Sequence, residues 1–175
     1  MAVDINQVVQ VFKKSRIFDG LGDEDLKKMA TGCSEQSFPI GTVIIEENDP
    51  PKEMLYVIRQ GEIVVSVAQA IVDSCEGADG SAMITTLGEG DAFGEIAIID
   101  EMPHSATVTA MSDSIVILLP MSHFYSLVEK DKNIGYVVIR NLAKLICQRL
   151  RGSNFLTKHF VSWGVPDAFE EQSKS

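Results

Sequence analysis

The apolar residues change their spacing twice along the chain. At the start Val3, Ile5, Val8, Val9 and Phe12 recur at helical intervals. A turn containing Gly20 and Gly22 follows, and then DEDLKKMA reads as a short helix, with acids in its first turn and lysines later, the order the helix dipole favours. From Ser34 to Leu119 the pattern becomes short β-rich runs: TVIIE, MLYVIR, EIVVSV, AMITTL, SATVTA and SIVILL. Turn residues punctuate them at Pro39-Ile40-Gly41, Asn48-Asp49-Pro50-Pro51, Gln60-Gly61, Gly77 to Gly80 and Gly88 to Asp91. Runs this short with turns this frequent predict an antiparallel sandwich or jelly roll. Within EIVVSV, Ile63, Val65 and Val67 share one face and Glu62, Val64 and Ser66 the other, as in a half-buried strand. The segment Ala68 to Ser81 reads as a long hairpin connection or an extended, mobile loop.

After Pro120 the helical period returns. SHFYSLVEK forms one helix, and Asp131 is placed to cap a longer one from about Lys132 to Arg151. The apolar positions of that longer helix, Ile134, Val137, Val138, Ile139, Leu142, Leu145, Ile146 and Leu150, make a stripe wider than one neighbour needs. The expectation is a homodimer seam at Val138, Ile139, Leu142, Leu145 and Ile146. The chain divides on this reading into a domain over 1–152 and an aromatic, acidic tail over 153–175, carrying Phe155, Phe160, Trp163 and Phe169.

Composition narrows the function. Of the 175 residues 45% are hydrophobic, enough for an ordinary core, and the formal net charge is −10. That charge argues against a nucleic-acid or anionic-membrane surface, so neither DNA nor a membrane is an expected partner, while a single small anion stays compatible. Cys33, Cys75 and Cys147 are an odd number without close pairing and read as reduced thiols. The N-terminus does not resemble a signal peptide and no apolar run reaches about 20 residues, so a soluble cytoplasmic protein is expected. The three histidines, His104, His123 and His159, fall on a strand, a helix and the tail with no metal-binding spacing, and no nucleophile grouping stands out. Neither a metal, a required cofactor nor catalysis is expected.

Candidate chemistry concentrates in GEGDAFGEIAIIDEMPHSATV, residues 88–108. Gly94 and Glu95 open a short apolar helix, EIAII, whose first amides, those of Glu95, Ile96 and Ala97, can face an anion. Gly94 leaves room for a ligand to approach the backbone, and Glu95 can accept hydrogen bonds from sugar hydroxyls. The chain then re-enters a strand at His104-Ser105-Ala106.

FGEIAI followed by PHSATV resembles the phosphate-binding cassette of the cyclic nucleotide-binding domain family. The resemblance extends over residues 5 to 151: FPIGTVIIEENDPPKEMLYVIRQGEIVV is similar to the family's early strands, and LGEGDAFGE to the approach to the cassette. It implies a mainly β fold with flanking α, an antiparallel eight-stranded jelly roll with N-terminal helices and two C-terminal helices. It also implies a non-catalytic regulatory or sensor module taking cAMP or cGMP as ligand. Carried over by position, Gly94 and Glu95 meet the ribose, the Ile96 and Ala97 amides meet the phosphate, and Ser105, beside Ala106, meets the phosphate or base edge. Met83, Leu87 and Phe93 supply apolar lining. The read from the residues alone is that Ser105 bonds locally in its strand, and both readings stand.

His104 departs from the family, whose nucleotide-binding members carry an arginine there that pairs with the cyclic phosphate. A neutral imidazole cancels no charge, so the sequence leaves the phosphate's counter-charge unassigned. On the sequence, a cyclic phosphate should bind more tightly near pH 6 than near pH 7.5, with His104 as the switch. The alternative is a ligand-free scaffold for dimerisation or protein interaction.

Overall fold

The computed structural model describes residues 3–68 and 81–164. Helices α1 (Ile5–Phe12) and α2 (Asp23–Ala30), joined through a 3-10 turn at Arg16–Phe18, precede strands β1 (Ser34–Phe38), β2 (Val43–Ile45), β3 (Met54–Gln60), β4 (Ile63–Ala68), β5 (Ser81–Leu87) and β6 (Ala92–Phe93). Helix α3 (Glu95–Asp100), strands β7 (Thr107–Ala110) and β8 (Ser114–Pro120), and helices α4 (Met121–Lys130) and α5 (Lys132–Gly164) complete the order. The strands form two antiparallel four-stranded sheets, β1-β8-β3-β6 and β2-β7-β4-β5. This is the expected eight-stranded jelly roll with flanking helices. Six strands correspond to the six β-rich runs; β1 and β6 lie outside them.

The first sheet is buried on both faces, which explains why MLYVI and SIVILL are continuously apolar. Leu55 and Val57 of β3, with Ile117 and Leu119 of β8, point into a core shared with the helices, to which α3 adds Ile98 at the margin. Tyr56 and Ile58, with Val116, point into the roll against Ile45, Ile63, Phe93, Val108 and Ala110. Successive side chains alternate between the two cores because the strand period is two. β4 and β5 pair from Ile63↔Leu87 to Ala68↔Ser81, so the segment between them is a hairpin connection, and residues 69–80 lie outside the described residues. No helix among the described residues is long and apolar enough to cross a membrane.

Helix α5 differs most from expectation. Asp131 caps it as anticipated, its carboxylate accepting from the Asn133 N–H at 2.9 Å. The helix then runs to Gly164, well past Arg151 and through the expected 152/153 boundary. A single interior glycine such as Gly152 weakens a helix by about 1 kcal/mol but does not stop it, and no proline interrupts the segment before Pro166. The expected tail is therefore helical up to Gly164; Phe155 stands 62% exposed on it, and Phe169 lies outside the described residues. Near its start α5 is anchored by buried Asn141, whose amide donates to the Ile17 carbonyl at 3.2 Å and the Asp19 carbonyl at 2.8 Å.

The same packing corrects the expected dimer seam. Val138 and Leu142 are each 1% exposed inside the chain's own helical core, and Leu145 packs against that core. α5 packs chiefly on α4 and the 3-10 turn, so the surfaces of Val138 and Leu142 are covered within the chain and Leu145 is half-buried. Ile139, 44% exposed, and half-buried Ile146 lie toward the outside.

The β3–β4 turn requires a glycine. Gly61 has φ 97°, and a Cβ there would lie 2.3 Å from Ser114 Oγ and 2.8 Å from Ser114 Cα. Gly61→Ala should lower unfolding stability in urea by about 2 kcal/mol or more, through a disfavoured φ and a clash with backbone. Gly88→Ala, where a Cβ meets nothing within 4 Å, should change it by under about 1 kcal/mol.

Candidate functional site

Strand β6 delivers the chain to the cassette. Phe93 is buried and stacks on Tyr56 with ring centroids 4.9 Å apart and planes within 7°. Gly94 follows at φ 81°, where a Cβ would lie 2.9 Å from the Tyr56 ring and 3.2 Å from the Met54 carbonyl. The chain's own packing demands this glycine, independently of any ligand. The backbone then turns directly into α3, with Glu95, Ile96 and Ala97 as its first residues.

Glu95 is 1% exposed. An isolated carboxylate that deep would be strongly disfavoured, so it must be paired. Its partner is Arg149 of α5, which makes an ion pair and hydrogen bond to Glu95 Oε1 through Nη1. Through Nη2 Arg149 donates to the Ala92 carbonyl at 2.5 Å. Arg149 stands near Lys144 and Arg151 in the sequence, yet its side chain is only 28% exposed. The missed signal is spacing: Val138, Leu142, Leu145 and Arg149 follow one another at intervals of four, three and four, so Arg149 continues the inward-facing stripe.

His104 is 5% exposed and is held at three points. Its N–H donates to the Asp49 carbonyl at 2.9 Å, and its carbonyl accepts from the Asn48 N–H at 2.8 Å. The Lys52 N–H points at its Nε2 at 3.4 Å, so that nitrogen acts as an acceptor and the proton sits on Nδ1. Burial, and next the positive charge of Lys52, hold the imidazole below its ordinary pKa, with Asp49 pulling the other way. His104 as a cation near pH 6 is disfavoured on both counts: its Nε2 is engaged at the β2–β3 turn, and its pKa is held down. These main-chain bonds also delay β7, which begins at Thr107 rather than His104.

Gly94, Glu95, Ile96, His104, Ser105 and Ala106 close on one cavity of about 60 Å³, together with Phe93, Val65 and Arg149. Two water molecules' worth of liquid is about that volume, so the cavity is tight. Ser105 is exposed at its edge. Two expected lining residues fall elsewhere. Met83 is 68% exposed on β5, and Leu87 is buried in the sandwich core. Both belong to the edge strand β5, which pairs with β4, and neither is among the residues lining the cavity. No group of three or more His, Cys, Asp or Glu among the described residues is arranged to hold a metal ion.

Comparison with known proteins agrees with this architecture. The chain is 30% identical over 112 residues to a cAMP-dependent protein kinase regulatory subunit of Debaryomyces hansenii, covering 64% of this chain and 22% of that protein. The chain thus spans about a quarter of the length of the first curated relatives it matches. Among solved structures, a cyclic nucleotide-binding domain from Methylobacillus flagellatus superposes with a TM-score of 0.73 at 22% identity, covering 94% of this chain and 86% of the other. The regulatory domain of Toxoplasma gondii PKA, solved with cAMP, gives a TM-score of 0.59 at 28% identity over 70% of this chain and 43% of the other. A profile for the cyclic nucleotide-binding domain matches residues 35–131, more than half of the chain and all of the cassette, and the chain belongs to that family.

Proposed function

We propose that the chain is a non-catalytic regulatory module that binds a cyclic mononucleotide, cAMP or cGMP, in the cavity between α3 and residues 104–106. The observation that carries this reading is the buried Glu95 at the cavity wall, positioned by Gly94 and tied to α5. A carboxylate in that place can accept from ligand hydroxyls, and anything that disturbs it is felt by a long helix. The amides of Ile96 and Ala97 would take the phosphate, and Ser105 and Ala106 the phosphate or base edge. With a net charge of −10, the output is read by another protein or a second copy rather than by DNA. The cAMP in the Toxoplasma gondii structure supports the choice of ligand class.

A second copy has a specific surface. Ile139, Ala143, Ile146 and Leu150 follow at intervals of four, three and four on the outward side of α5, with Ile139 44% and Leu150 59% exposed. That spacing fits a helix-to-helix seam and replaces the Val138–Leu142 seam. It also serves the alternative reading, a ligand-free dimerisation scaffold, which the tightness of the cavity favours.

Three measurements test these readings. In a thermal-shift panel, cAMP or cGMP at about 100 times its dissociation constant should stabilise the protein by about 2.7 kcal/mol, raising Tm by roughly 5–10 °C. No shift with either nucleotide at millimolar concentration would leave the scaffold. Light scattering should give twice the 19.1 kDa of one chain, reduced to one chain by Ile139→Glu with Leu150→Glu; a monomeric wild type at micromolar concentration removes the seam. The third concerns His104. Its folded-state pKa lies below the unfolded value of about 6.5, so its contribution is present above that pH and is lost as pH falls toward the folded value. His104→Gln, which keeps an acceptor for Lys52, should therefore lose less stability than the wild type between pH 7.5 and 5. Parallel melting curves would refute a buried neutral ring.

A further inference from the structure

We infer that Arg149, carried on α5, supplies the positive charge for an anionic ligand of the cassette. The inference rests on the proposed cyclic-nucleotide reading of the cavity and assigns the one role that reading leaves empty.

Three basic side chains come near the cassette's ligand face, and the geometry separates them. His104 lines the cavity, but its Nε2 accepts from the Lys52 main chain, and protonation would turn that acceptor into a donor facing another donor. Lys52 lies beside His104 but outside the cavity lining, with Nζ 3.5 Å from the Ile44 carbonyl. Arg149 lines the cavity itself, alongside Glu95, Ser105 and Ala106, and is the only Lys or Arg among the described residues to do so. Of the five N–H donors in a guanidinium, the structure commits one to Glu95 and one to the Ala92 carbonyl, which leaves donors for a ligand in the same space.

The charges also balance in an orderly way. Glu95 and Arg149 cancel before a ligand arrives, so the empty cavity holds no net charge. An entering phosphate ester places its hydroxyls on Glu95 and its anion against the guanidinium. Arg149 gives up the Ala92 carbonyl, a neutral acceptor, for an anionic one, and keeps Glu95 on its other edge. Planar, fork-shaped donors suit that double engagement and a lysine would not. At about 60 Å³ the cavity must widen to admit a nucleotide, and the side chain that crosses from α5 is the one that moves. The cation for the ligand thus comes from a residue 54 positions beyond Glu95 in the sequence, on a different element from the cassette.

The test is the ratio of cAMP affinity to adenosine affinity, measured by calorimetric titration of the full chain. Adenosine keeps the 2′-hydroxyl that cAMP also presents and lacks the phosphate charge, so changes in the ratio between variants follow the anion. Arg149→Gln should lower the ratio by about tenfold or more. Glu95→Gln removes the competing carboxylate and should raise it, a change of opposite sign that no general loss of structure produces and that remains readable if Arg149→Gln does not fold. A ratio unchanged in both variants, whatever happens to the absolute affinities, overturns the inference and leaves Arg149 as a structural partner of Glu95. His104→Arg in the otherwise unaltered chain separates the two levels of the argument. If it binds cAMP while the wild type does not, Arg149 is insufficient and the cavity reading stands. If neither protein binds cAMP or adenosine, the cavity reading itself falls.

Discussion

A carboxylate with 1% of its surface exposed sets the terms for much of this structure. Glu95 cannot sit at the head of α3 as an uncompensated charge, because the desolvation penalty is several kcal/mol and removing a partner from a buried pair typically costs about 3–5 kcal/mol. The compensation arrives from α5, and so the rotation of that helix about its own axis is fixed by a residue in the cassette. Asn141 fixes the same helix eight residues earlier, against the Ile17 and Asp19 carbonyls. Between the two anchors, Leu142 and Leu145 are drawn into the helical core. The cassette, the helical layer and the outward stripe of α5 are therefore one mechanical problem rather than three.

The fold was largely legible in the sequence because the first sheet is buried twice. Unbroken apolar runs such as MLYVI and SIVILL occur only where both strand faces need covering, and the helices that cover one face announce themselves by their own period. What escaped notice has the opposite character. β1, SEQSF, is an edge strand with one buried side chain, Phe38, and β6 is two residues long. Neither has enough periodicity to register; each is held by its neighbours, β8 and β3. The overrun of α5 past Arg151 was hidden by Gly152 and by the middling helix propensities of SNFLTKHFVSW; an interior glycine costs only about 1 kcal/mol, and no proline interrupts the segment before Pro166.

The site was legible by residue type and much less so by partnership. Phe93, Gly94, Glu95, Ile96, His104, Ser105 and Ala106 do come together around one cavity. Local sequence brings them there, since β6, α3 and the 104–106 segment are nearly contiguous. Charge state is a different matter, because it depends on residues remote in sequence. That the His104 pKa is held down follows from burial and from Lys52 across the β2–β3 turn, and that Glu95 is paired follows from a helix far downstream. Met83 and Leu87 were misplaced for a related reason: alternation along β5 says which side chains share a face, not which cavity that face reaches.

The unbroken run of α5 has a mechanical consequence. From Arg149 to Gly164 the helix continues for 15 residues, about 22 Å of rod at 1.5 Å per residue. A rigid rod that tilts at one attachment magnifies whatever happens there. A tilt of about 10° at Arg149 would displace the distal end by about 4 Å, more than the gap between packed side chains. Rearrangement of a single guanidinium, a motion on the scale of one hydrogen bond, is thereby enough to bring a distant surface into or out of register with whatever it touches.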